Sequence, residues 1–253
     1  MTAYSTSFYK WLRGQSLESA REVAPLVMEL VHPRSVVDVG CGTGSWLAAF
    51  RELGVRQLRG VEAPGVDPTS YQVPPNLITE QDLTDPVALK QKADLVVSLE
   101  VGEHLPEEAA SIYIRSLVRL GPVVLFSAAI PNQGGSHHLN EQWPSYWEKL
   151  FAAYGYTGVD VVRWQVWNNG RVAPWYRQNT VMFVMQSHLA RYPMIDRVYR
   201  EQAGPLMSMV HPEIFALRMA EVEGLNLRRL GRSLRAATRF LRRTTRRYVA
   251  GVG

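Results

Sequence analysis

Short apolar runs alternate with amphipathic stretches along most of this chain. Val36 and Val37 lead into Val39, a run that breaks at Gly40 and reads as a buried strand. Residues 45–54 follow as a short helix and 57–63 as a second strand. Residues 76–82 read as a short strand, and 94–100, Asp-Leu-Val-Val-Ser-Leu-Glu, as a buried one. Over 106–120 the apolar positions Ala109, Ile112, Tyr113, Leu117 and Leu120 fall along one side, and Pro106 suits a first helical turn. A strand at 122–129, a helix at 143–154 and two last strands at 159–164 and 179–185 complete the series. Such alternation predicts a doubly wound α/β sheet. No internal repeat or low-complexity segment interrupts it. The chain then divides into an N-terminal helical segment (1–34), an α/β core (35–186) and a helical extension (187–253).

Composition changes this picture little. A length of 253 residues with 46% hydrophobic content supports a real core and argues against global disorder. The lone cysteine, Cys41, leaves no disulfide framework and no cysteine-rich metal site, which fits a reducing cytoplasm. Residues 1–14 lack the apolar segment of a signal peptide, and no apolar run is long enough for a membrane span. The net charge of +5 is unevenly spread: residues 224–253 hold nine arginines and no acid, so the rest of the chain is slightly acidic.

The most specific chemistry begins where the first strand breaks, at Asp38-Val39-Gly40-Cys41-Gly42-Thr43-Gly44. A glycine-rich turn between strand and helix lets a ligand approach the backbone, and the helix start offers free N–H groups. Asp38 lies two positions before the first glycine. Glu62, at the end of the second strand, follows Gly42 by about twenty residues, the spacing of a ribose-holding carboxylate.

DVGCGTG with an acid ending the second strand resembles the class I S-adenosylmethionine-dependent methyltransferases. The resemblance implies a Rossmann-like sheet of seven mostly parallel strands, the last antiparallel, with a C-terminal extension. It implies a methyl donor lying on Gly40 and Gly42, with Glu62 accepting from the ribose hydroxyls. Asp82, in Glu80-Gln81-Asp82-Leu83, matches the position that reads the adenine amino group. Asp38 either faces the donor or holds the turn's own N–H groups. The connection between the last two strands reaches the ligand-binding edge and carries Trp164, Trp167, Trp175 and Tyr176, as an acceptor wall or as buried loop packing.

A second constellation follows the fourth strand. Glu100, Glu103 and His104 stand at i, i+3 and i+4, so a helical turn there would put all three on one face. A Gly-Gly loop after the fifth strand carries His137 and His138. This E-x-x-E-H pattern is similar to that of metal-dependent methyltransferases of the terminal ribose of small RNAs and of quinone precursors. That resemblance implies Glu100, Glu103, His104 and His138 as ligands, with His137 the alternative fourth, and His104, His138 and Glu103 as the catalytic groups. Oxygen-rich sites with one or two imidazoles suit Mg²⁺ or Mn²⁺. A dication makes a sugar hydroxyl acidic enough to lose its proton, which an uncommitted imidazole can take. In the same pattern without metal, the glutamate ties down backbone and the histidine acts alone or packs.

Residues 126–147, with Trp175-Tyr176-Arg177-Gln178-Asn179, resemble methyltransferases of bacterial polysaccharide and glycosylated-metabolite pathways. The expectation is an S-adenosylmethionine-dependent O-methyltransferase acting on a hydroxyl of a sugar or glycosylated small molecule, assisted by Mg²⁺. Terminal-ribose 2'-O-methylation of RNA is the alternative, against which the slightly acidic main domain counts. A non-catalytic S-adenosylmethionine-binding regulatory protein is the third reading. At the C-terminus Leu227, Leu230, Leu234, Ala237, Leu241 and Tyr248 recur at three- and four-residue steps among arginines, a basic amphipathic helix. It suits an anionic membrane surface, a polyanion, self-association or cover for its own domain.

Overall fold

A computed structural model describes residues 6–87, 89–202 and 204–224, with 6–13 described as backbone only. Helix α1 (Thr6–Val31) precedes β1 (Ser35–Val39), α2 (Ser45–Glu52), β2 (Gln57–Glu62), β3 (Ile78–Glu80) and β4 (Leu95–Leu99). Then come α3 (Ala110–Leu120), β5 (Val123–Ser127), α4 (Pro144–Ala152), β6 (Tyr156–Val159), α5 (Arg163–Val166), α6 (Pro174–Asn179), β7 (Val181–Met185) and α7 (Pro193–Glu201). The seven strands form one sheet in the order β3-β2-β1-β4-β5-β7-β6. Neighbours from β3 to β5 run parallel, and β7 is antiparallel to both β5 and β6. The expected sheet is therefore present. Residues Met1–His211 form one compact unit; a second begins at Pro212, and its described part, 212–224, is helical.

Alternate residues of each central strand enter opposite cores, which is why the strands read as continuous apolar runs. Val36, Leu95, Leu125 and Met182 point to a layer shared with α1 and α2, including Ala20, Val27, Leu47 and Phe50. Val37, Val96, Phe126 and Phe183 point to the other, against Tyr113, Leu117, Trp147 and Phe151 of α3 and α4. There Phe151 and Phe183 stack at 3.8 Å between ring centroids. The N-terminal helix thus shares the core of the sheet. Among the described residues no helix is long and apolar enough to cross a membrane.

The chain passes from β1 outward to β3 and then crosses back to β4 on the other side of β1. A crevice opens beyond the carboxyl ends of strands where the order reverses, and this fold presents its ligand site there. The glycine turn after β1 and residues 100–104 after β4 are consequently neighbours.

Some elements differ from expectation. The sixth strand, expected at 159–164, is Tyr156–Val159. Asp160 accepts two bonds from the buried Arg163 guanidinium, at 2.9 and 2.7 Å, and this i,i+3 pair closes a helical turn at the end of the apolar run. An apolar run alone does not distinguish a buried strand from a buried turn. The helix expected at 106–120 starts at Ala110, after a tight 3₁₀ turn at Glu107–Ala109. The last connection is not an open loop, since it holds α5 and α6. The arginine-rich segment from Leu227 onward lies outside the described residues.

Candidate active site

The first half of the site is built by the turn after β1. Gly40 N–H donates to the Val61 carbonyl at 2.8 Å, which bends the chain over β2. At φ 80° Gly40 is left-handed, and a Cβ there would stand 2.4 Å from Val101 Cγ2. Gly42, at φ 55°, has no atom within 4 Å of an added Cβ. Gly40 therefore needs to be glycine for packing as well as conformation, Gly42 for conformation and for the open space beside it. Gly42 N–H donates to Glu62 Oε2 at 2.5 Å, so the ribose-type carboxylate and the glycine turn are directly joined. Burial pushes the Glu62 carboxyl up, against the N–H groups of Gly42 and Ala63 that hold it down.

Asp38 is 2% exposed and lines the same cavity. Its Oδ2 has no hydrogen-bond partner among the described residues. Burial, and then the neighbouring Glu62 charge, raise the Asp38 carboxyl well above the usual carboxylate range. Asp82, the expected adenine reader, lies just beyond β3. It is exposed, and its Oδ1 accepts from Thr84 N–H at 2.9 Å and Thr84 Oγ1 at 2.7 Å. The adjacent Leu83, buried, is the residue that lines the cavity.

The second half begins at Glu100, whose φ of 55° turns the chain sharply out of β4. The 3₁₀ turn here spans Gly102–His104, so Glu100 is outside the helical turn that its spacing suggested. Glu103, His104 and His138 bring ligand-type atoms within 4.8 Å of one another; Glu100 is not part of that group. Glu100 Oε1 instead accepts from Asn179 Nδ2, and Oε2 from Gln133 Nε2, each at 3.0 Å. Gln178 Nε2 donates onward to Gln133 Oε1 at 2.8 Å, and Gln178 Oε1 accepts from His211 N–H at 2.7 Å. A buried amide frame thus carries the Glu100 carboxylate.

Glu103 is fully buried, and neither of its carboxylate oxygens meets hydrogen-bond geometry with a described group. Burial and then the Glu100 charge push its carboxyl far up, while the nearby N–H groups of Glu103 and Ala129 pull the other way. The Glu103 carbonyl accepts from Leu139 and Asn140 N–H at 2.7 and 3.0 Å, which pins the loop carrying His138 over this turn. The rings of His104 and His138 meet edge to face at 4.9 Å. Burial and the neighbouring His138 depress His104 to about 4, so its imidazole is neutral at physiological pH. His137, the alternative fourth ligand, lies outside the close group at φ 61° and is exposed.

One cavity of about 710 Å³ joins both halves. Trp175 and Tyr176 line it, while Trp164 and Trp167 do not. Trp164 is 60% exposed, and Trp167 packs against His211 at 4.7 Å. Tyr176 Oη lies 3.1 Å from Ser16 Oγ of α1, and its ring meets Trp46 edge-on at 5.3 Å. Burial raises the Tyr176 phenol to about 12, so it stays a neutral wall. Sequence spacing did not single out Gln133, Asn179 or Glu141. All three lie in polar strings that were noticed, but their partners are set by the fold.

Residues 12–155 match the family described as methyltransferase domain. Ribosomal RNA large subunit methyltransferase E of Caulobacter sp. (strain K31) is 39% identical over 61 residues, 24% of this chain and 25% of that protein. The chain thus matches about a quarter of the length of that curated relative. Among solved structures it is similar to the sugar N-methyltransferase KedS8 from Streptoalloteichus sp ATCC 53650, at 17% identity and a TM-score of 0.56, covering 73% of this chain and 94% of that one. It is also similar to CalS10, an amino pentose methyltransferase from Micromonospora echinaspora, at 14% identity and a TM-score of 0.51, covering 74% and 99%. At these identities the likeness is one of fold.

Proposed function

This chain belongs to the methyltransferase domain family, and from that premise we propose that it is an S-adenosylmethionine-dependent O-methyltransferase acting on a hydroxyl of a sugar or glycosylated small molecule, assisted by Mg²⁺. The observation that carries the reading is the group Glu103, His104 and His138, which opens into the same cavity as Gly42 and Glu62. A methyl donor and an activated hydroxyl must meet within one space.

The donor-side residues fit the cofactor on their own chemistry. Asp38 Oδ2 is a buried acceptor without a partner among the described residues, the kind of atom that an ammonium-bearing ligand satisfies. Glu62 is held in place by Gly42 N–H, and Gly42 leaves backbone-depth room beside it. When bound, S-adenosylmethionine supplies an electron-poor methyl group on a sulfonium. The protein's share is to align it, exclude water and provide for the acceptor's proton.

The acceptor-side residues fit a divalent cation. Glu103 offers two buried oxygens that meet hydrogen-bond geometry with no described group, His104 is neutral, and three ligand-type groups converge. Two imidazoles and one carboxylate are a set that Zn²⁺ also takes; with the Glu100 carboxylate counted beside Glu103 the site is oxygen-richer and suits Mg²⁺ or Mn²⁺, and a dication there raises the acidity of a hydroxyl. Such help is what separates oxygen from amine acceptors, since a sugar hydroxyl is far too weak an acid to react unaided. Glu100, fixed by Asn179 and Gln133, keeps a second carboxylate beside Glu103. With both imidazoles on the cation, the hydroxyl proton that the cation makes acidic is released to solvent as the acceptor binds. Trp175 and Tyr176, beside the polar Gln133 and Ser136, suit a polyhydroxylated ring.

The partial likeness to an rRNA methyltransferase favours RNA as a second acceptor. A labelled-donor assay against free glycosides, sugar nucleotides and short RNA, with EDTA or added Mg²⁺, separates the readings. The proposal expects transfer to a glycoside hydroxyl that EDTA abolishes and Mg²⁺ restores. EDTA-insensitive transfer, or transfer to RNA alone, refutes it; donor binding without transfer to any acceptor favours a regulatory protein.

A further inference from the structure

Glu141 stands behind His138, a residue of the cavity lining. Its Oε2 accepts from Asn132 N–H at 2.7 Å. Its Oε1 accepts from Gly134 N–H at 3.1 Å and faces His138 Nδ1 at 2.8 Å. Both oxygens already accept a backbone N–H, so the carboxylate presents only lone pairs to the ring. Nδ1 must then carry the hydrogen, and Nε2 of a neutral His138 keeps its lone pair. On the other side stands Gly135, at φ 152°, where a Cβ would lie 2.3 Å from both Cε1 and Nε2 of His138. The ring is confined between a carboxylate and a residue that has no side chain. The loop it sits on bends through left-handed Asn132 and His137, at φ 66° and 61°, a conformation that needs ties from outside itself.

We infer that Glu141 is a positioning residue of this active site, holding His138 as the Nδ1–H tautomer and clasping the 132–138 loop so that Nε2 is delivered to a cation shared with Glu103 and His104. Ligating histidines commonly donate their second ring N–H to a carboxylate, which fixes the ring and strengthens the ligand. The consequence for a cation rests on the metal-assisted reading above; the tautomer is a property of the protein alone. His138 would thus be the ligand of the loop, and His137 would not.

The test uses full-length protein labelled with ¹⁵N-histidine and free of metal, with ring tautomers read from long-range ¹H–¹⁵N correlations. Wild-type His138 should be protonated at Nδ1 only, and Glu141→Ala should lose that preference. Glu141→Gln keeps one side-chain oxygen to accept from Nδ1 while losing one backbone tie, so it should retain the tautomer. Mn²⁺ affinity should fall about 10- to 100-fold in Glu141→Ala and recover substantially in Glu141→Gln. An Nε2–H ring in the wild type, or an unchanged tautomer in Glu141→Ala, overturns the inference. A wild type with the Nδ1–H ring that binds no Mn²⁺ refutes the metal-assisted reading and leaves the tautomer assignment supported.

Discussion

Gly40 and Gly42 are two residues apart, both left-handed, and should respond differently to the same substitution. Alanine at Gly42 meets nothing within 4 Å and incurs only the left-handed conformation at φ 55°, roughly 1–2 kcal/mol. For a domain of this size that lowers Tm by about 2–4 °C per kcal/mol. At Gly40 the same strain is joined by a Cβ 2.4 Å from Val101 Cγ2, and overpacking of that kind adds about 1–3 kcal/mol. Gly40→Ala should therefore be the less stable protein in thermal denaturation, and Val101→Ala in that background should recover part of the loss. Binding should reverse the order of interest. The Gly42 methyl enters the cavity beside the N–H held by Glu62, so Gly42→Ala should bind S-adenosylhomocysteine at least about tenfold more weakly by calorimetry, a loss of about 1.4 kcal/mol. Wild-type affinity in Gly42→Ala, or equal stability of the two variants, would refute this account of the turn.

Two further outcomes follow from buried charge. A carboxyl raised in the folded state contributes stability below its unfolded value that is lost as pH rises through the folded one. Asp38 is such a group, so Asp38→Asn should gain stability relative to wild type in urea denaturation at pH 8 compared with pH 5; a difference independent of pH would contradict the burial argument. His104, depressed to about 4, acts in the opposite sense, losing stability as pH falls from its ordinary value, but it is common to both proteins and cancels in the comparison. Asp160→Ala leaves the Arg163 guanidinium, 1% exposed, without its carboxylate, and breaking a buried pair in this way costs about 3–5 kcal/mol. A loss under about 1 kcal/mol in equilibrium unfolding would show that the pair is solvated.

The donor half of the site was legible because local geometry demands it. A turn that passes from strand to helix at positive φ calls for glycine, and the carboxylate some twenty residues on lies in the adjacent parallel strand, where Glu62 meets Gly42. The acceptor half was legible in its residue types but not in its grouping. The i, i+3, i+4 spacing assumes a helical turn from Glu100, whereas Glu100 itself is left-handed and the turn begins two residues later. Its partners, Asn179 and Gln133, come from α6 and a loop far along the chain, so only the fold brings them in. At Asp82 the position suggests a ligand contact, and the fold adds a local turn in which Thr84, two residues on, donates to Oδ1.

The central claim is that Glu103, His104 and His138 hold a divalent cation in the methyl-transfer cavity. Titration of the full-length protein with Mn²⁺, followed by electron paramagnetic resonance, tests it most directly. The account predicts one bound ion per chain, lost in Glu103→Gln and His138→Ala and retained in Glu62→Ala. Absence of binding in the wild type, or unchanged binding in Glu103→Gln, would contradict it.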